Sequence, residues 1–94
     1  MSDPGDDAVR VWLVERTYSD DEQNIIVLTY ATPDGGRYLR QERALTSFDD
    51  APETPVAVDA DPINLGTVED ADRRERYAAE ARRMAAANDP DDVL

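Results

Sequence analysis

Apolar and polar positions alternate over most of the first half of the chain. From Val9 to Tyr18, Val9, Val11 and Leu13 share one parity, and Trp12, Val14 and Tyr18 share the other. That period of two predicts a strand. Ile25 to Thr32 is β-branched and aromatic, and Ile25 to Leu28 is apolar on both parities. A strand of that kind is central and covered on both faces. Arg37 to Leu45 alternates again and predicts a third strand. Between the second and third lies Pro33-Asp34-Gly35. Proline presets the first turn position, Asp34 suits the second and Gly35 supplies positive φ. This predicts a three-residue loop with a glycine bulge. Thr32 then pairs with Gly36, Tyr30 with Tyr38, Leu28 with Arg40 and Ile26 with Glu42. On the opposite face Thr29 meets Leu39, and Val27 meets Gln41.

The second half is patterned differently. Residues 46–66 carry Pro52, Pro55 and Pro62 among paired aspartates. A structureless loop of that length is uncommon in a compact domain. A short fourth strand is therefore expected at Val56–Asp59, on an edge because Pro55 lacks an amide proton. Phe48, Ile63 and Leu65 are the expected anchors of the remainder. A helix is expected from Val68 to Ala87, opened by a capping box of Thr67 and Asp70. Tyr77, Ala78, Ala81, Met84 and Ala85 form its apolar stripe, and pairs such as Glu69–Arg73 and Asp72–Arg76 brace its solvent side. The fold class is α+β: an antiparallel meander of three or four strands, packed on one face by a C-terminal helix. The helix is expected over Trp12, Leu28, Tyr30 and Tyr38. Residues 1–8 and 89–94 are expected to be tails around one domain at 9–88.

Charge changes the picture. Of the 94 residues 22 are acidic and 10 basic, a net charge of −12. Every basic residue is arginine and most of the acidic ones are aspartate. Such a charge strains the compact state by self-repulsion, and salt relieves it because the screening length shrinks to about 3 Å at 1 M. The composition predicts a halophilic cytoplasmic protein. No signal peptide is expected from the acidic start MSDPGDD, and the apolar run Ile25–Leu28 is far too short to span a bilayer.

Catalytic chemistry has little to work with. The chain has no cysteine and no histidine, so thiolate metal sites and the commonest general base are absent. Ser2, Ser19 and Ser47 have no histidine or lysine to activate them. Carboxylate pairs such as Asp20-Asp21, Asp49-Asp50 and Asp91-Asp92 fall in loops and read as solvated surface. Asp59, Asp61 and Asn64 lack the spacing of a calcium loop. Gly35-Gly36 opens no helix, so it offers no phosphate cradle. No metal, cofactor or enzymatic activity is expected.

Two candidate surfaces remain. Trp12, Arg16, Tyr30, Tyr38 and Arg40 make an arginine–aromatic set that could stack bases and hold phosphates. Nucleic acid is the weaker reading, because the helix needs those aromatics to pack on and salt weakens phosphate contacts. Val11, Leu13, Ile25, Val27 and Leu39 make an apolar set on the opposite face, a candidate self-association surface that one helix cannot also cover. The leading expectation is a non-catalytic module that self-associates or binds a protein partner through its sheet. Nucleic-acid or small-ligand binding comes second, and a carboxylate-based enzyme third.

Three stretches carry a resemblance: Val11-Trp12-Leu13-Val14-Glu15-Arg16, Ala44-Leu45-Thr46-Ser47-Phe48 and Arg76-Tyr77-Ala78. In these the chain resembles small uncharacterised proteins found across haloarchaea. The resemblance supports the saline habitat and brings no catalytic or binding residue with it.

Overall fold

The computed structural model describes residues 8–19, 25–44 and 54–93. Among them five strands form one antiparallel sheet: β1 (Val9–Ser19), β2 (Ile25–Ala31), β3 (Arg37–Ala44), β4 (Ala57–Ala60) and β5 (Gly66–Thr67). Their order is β4-β1-β2-β3-β5. Helix α1 (Ala71–Ala87) lies over β1 and β2. The meander with β2 at its centre and the edge position of β4 follow the sequence pattern. The fifth strand was not expected: it is two residues long, too short for any periodicity to register.

The hairpin loop has four residues rather than three. Gly35 N donates to Thr32 O at 2.8 Å, closing a turn over Pro33 and Asp34, and Thr32 N donates to Arg37 O at 3.1 Å. Thr32 therefore pairs with Arg37, not Gly36. Asp34 explains the longer loop. Its Oδ1 accepts from Gly36 N at 2.8 Å and from the Thr32 hydroxyl at 2.5 Å, while Thr32 Oγ1 accepts from Arg37 N at 3.2 Å. The extra residue shifts every later pair by one: Tyr30 meets Leu39, Leu28 meets Gln41, and Tyr38 meets Ala31. A one-residue slip moves the whole strand to the opposite face.

A second phase change occurs in β1. The ladder steps from Leu13↔Tyr30 to Glu15↔Thr29, leaving Val14 as a bulge. Beyond it Arg16 stands opposite Leu28, on the face of Leu13 rather than that of Trp12. The bulged residue is not idle, since Val14 packs against both hydrophobic clusters.

The two faces therefore divide differently from the expectation. Trp12, Ala31 and Tyr38 share the helix face, where Tyr77 packs with Ala31, Val68 and Tyr38. Ala31 is fully buried, and its small side chain lets the helix lie close. Leu28 and Tyr30, expected beneath the helix, lie on the other face with Val11, Leu13 and Ile26, all buried. Val56 and Leu65 belong to that core. The Tyr30 hydroxyl donates to Pro55 O at 2.8 Å, and burial raises its pKa above the ordinary phenol value.

Helix α1 starts three residues later than the capping-box reading. Thr67 is committed to β5 opposite Arg37, so Asp70 is the cap, accepting from Arg73 N at 3.2 Å. Tyr77, Ala81 and Met84 are buried as expected, whereas Ala85 is exposed. On the helix surface Arg83 pairs with Glu80 at 2.7 Å. Ile63, an expected anchor, is 84% exposed, because the 3-10 turn Pro62–Asn64 carries no buried residue. Residues 89–93, read as a tail, turn back on the core: Val56 N donates to Asp92 O at 3.0 Å, and Pro55 bridges Val93. Residues 1–7 and Phe48 lie outside the described residues.

Candidate functional site

The helix covers only the loop end of its face. Toward the other end the same face carries Glu15 and Thr17 from β1, Val27 and Thr29 from β2, and Arg40 from β3. The phasing of the bulge and the four-residue loop puts these side chains on one side. Together with the N-terminal part of α1 they bound an open groove of about 620 Å³. Tyr38 and Tyr77 form its inner end, and Thr67 to Asp70 with Arg73 and Arg76 form its wall.

The groove brings together charges of both signs. Arg76 reaches Glu15 at 3.9 Å and stands 5.7 Å from the Tyr77 ring centroid. Arg40 pairs with Glu42 at 3.3 Å, with both side chains more than half exposed. Exposed pairs of this kind contribute little to stability and can be exchanged for a ligand's charges. Val27 and Thr29 on its floor are only half-buried. Three arginines against Glu15, Glu69 and Asp70 leave the groove near neutral in a strongly acidic chain.

The expected binding set is split by these phases. Trp12, Tyr38 and Arg40 are on the helix face, and Tyr38 and Arg40 line the groove. Trp12 is buried with the core. Tyr30 and Arg16 face the other way: Tyr30 is fully buried and Arg16 is exposed. The apolar set is split too. Val11, Leu13 and Leu39 lie on the far face, the first two buried, while Ile25 and Val27 lie on the groove face and are half-buried. Neither set forms one continuous surface. The groove arginines Arg73 and Arg76 read in the sequence as a solvated helix surface. The signal that points to the groove is the run of β-branched residues Thr17, Val27 and Thr29, too polar for a core and too apolar for plain surface.

Among the described residues no three histidine, cysteine, aspartate or glutamate side chains converge as a metal site. Asp59 is held by Arg10 at 2.9 Å, which keeps its carboxyl below the usual range. Asp61 caps the 3-10 turn, accepting from Ile63 N at 3.1 Å. No helix of the described residues is long and apolar enough to cross a membrane.

Fold and site together define a small α+β protein with a half-covered antiparallel sheet. The chain belongs to a family of unknown function, DUF7967, whose model matches residues 5–94. No curated protein and no solved structure matches it.

Proposed function

We propose that this protein is a non-catalytic interaction module of a halophilic archaeon's cytoplasm, acting by self-association or by binding a protein through the uncovered end of its sheet. One observation carries the reading. Among the described residues, beyond Trp12, Ala31 and Tyr38 the sheet narrows to β1, β2 and β3, with half-buried Ile25, Val27 and Thr29 on the groove face. The far face does not serve, because Val11 and Leu13 are already within the core. The acidic, lysine-free composition supports the saline setting.

Light scattering on the full chain, from dilute buffer into molar KCl at rising protein concentration, tests this. The expected result is a mass above the 10.5 kDa of one chain, growing with salt as repulsion is screened. A single-chain mass throughout would overturn self-association and leave only the binding of a different protein. A second reading rests on Arg40, Arg73 and Arg76 beside Tyr38 and Tyr77: an anionic ligand with a flat ring would find both charge and stacking there. The two separate in the same salt series. Saturable binding of a nucleotide or short RNA by a single-chain species selects the second.

A further inference from the structure

We propose that two copies of this chain join β3 to β3, antiparallel, about a two-fold axis through Gln41. The inference rests on the interaction-module reading and names its partner and register. Thr32 and Arg37 form a hydrogen-bonded pair, and such pairs alternate along an antiparallel ladder. Leu39, Gln41 and Arg43 therefore turn their N–H and C=O groups toward β2. Tyr38, Arg40 and Glu42 turn theirs outward. The far side agrees: Gly36 O accepts from Val68 N at 3.0 Å, and Tyr38 pairs with Gly66 of β5. Beyond Tyr38, no strand among the described residues meets the outward groups of Arg40 and Glu42.

Charged side chains on such an edge commonly guard it against pairing. Here they are self-complementary. With Gln41 on the axis, Arg40 stands opposite the partner's Glu42, and Glu42 opposite the partner's Arg40. The two intrachain Arg40–Glu42 contacts at 3.3 Å, one in each copy, are exchanged for two cross-strand pairs. The neighbouring registers of the same parity set Arg40 against Arg40, or Glu42 against Glu42, and are repelled. Gln41 itself carries a buried Oε1 with no hydrogen-bond partner among the described residues. Turned toward the edge, it meets the partner's Gln41, and each amide can both donate and accept. Strand β5 occupies the positions beside Arg37 and Tyr38, so the ladder is confined to Leu39–Arg43. A contact this short is weak, and the net charge of −12 on each copy makes it dependent on salt.

The absence of cysteine gives a clean test. Gln41 would form a non-hydrogen-bonded pair with its mate, with Cα atoms about 4.5 Å apart, within disulfide range. Oxidised in molar KCl, Q41C should link into a covalent dimer, and R43C, whose mate faces Leu39, should not. Arg40→Glu alone or Glu42→Arg alone should raise the dimer Kd at least about tenfold, and the double exchange should restore it. A dimer that R43C links as readily as Q41C, or that ignores both charge reversals, overturns the register while leaving the sheet as a contact surface. A single-chain mass at every salt concentration overturns the inference and the self-association arm of the broader reading, but not its protein-partner arm.

Discussion

The two ends of the sheet are built to different standards. At the loop end everything is clasped. Arg82 donates from Nε to Pro33 O at 3.1 Å, Val68 N holds Gly36 O, and Arg74 reaches Val68 O at 2.8 Å. Gly35 has φ of +71°, and a Cβ there would collide with Arg74 O. At the other end the three strands carry half-buried side chains and an uncovered groove. One strand, β2, runs through both regimes, from fully buried Ala31 to half-buried Ile25. The contacts that tie the helix to the sheet are concentrated where the helix and the loop meet. At the opposite end, among the described residues, Ile25, Val27 and Thr29 are only half-buried, so less local stability is expected there.

The sharpest way to break that division is Gly35→Val. A β-branched residue at positive φ costs about 1–2 kcal/mol, and the collision with the helix backbone adds a further cost of about 1–3 kcal/mol. A fall of about 2–5 kcal/mol in urea unfolding is expected, with loss of the helix signal in circular dichroism. Unchanged stability would mean that the helix does not rest on the loop.

A paired substitution sharpens the contrast within β2. Leu28 is 1% exposed and its neighbour Val27 is half-buried. Leu28→Ala should cost about 2–5 kcal/mol. Val27→Ala, on the open groove floor, should cost about 1 kcal/mol or less. Equal losses in denaturant melts would erase the distinction between the faces.

The smallest effect is expected at Asp34. Hydrogen bonds from the Thr32 hydroxyl and Gly36 N hold its carboxyl below the usual carboxylate range. Its charged form is therefore favoured by folding. The resulting stability is present above the unfolded pKa and is lost as pH falls through the folded one. Asp34→Ala should cost about 1 kcal/mol at neutral pH, and the difference from the parent should vanish in acid. A gap that persists at pH 2 would place the effect in something other than this carboxylate.

Strands β1 to β3 and the helix were legible in the sequence because each carries its own period, whereas the two-residue β5 carries none. The Pro33-Asp34-Gly35 turn was legible because each residue has a defined backbone preference. The assignment of faces was not, for it hangs on two single-residue decisions. Whether the loop holds three or four residues is settled by the Thr32–Asp34 hydroxyl–carboxylate contact, which no alternation reveals. Whether β1 is regular is settled at Val14, an apolar residue that fits either phase. The groove lining hangs on both decisions: of the expected binding set Tyr38 and Arg40 line it, and Glu15, Thr17, Arg73 and Arg76, which also line it, were not in that set. Thr67 failed as a cap because pairing with Arg37 claimed it first.

Val14 also acts as a phase shifter. Because it is surplus to the ladder, its loss would keep every pair from Glu15 to Ser19 as it stands. Straightening the strand with Val14 retained would instead trade Glu15 and Thr17 for Arg16 and Tyr18 along one rim of the hollow. A change in backbone path, with no side chain altered, could thus give this family a differently charged mouth.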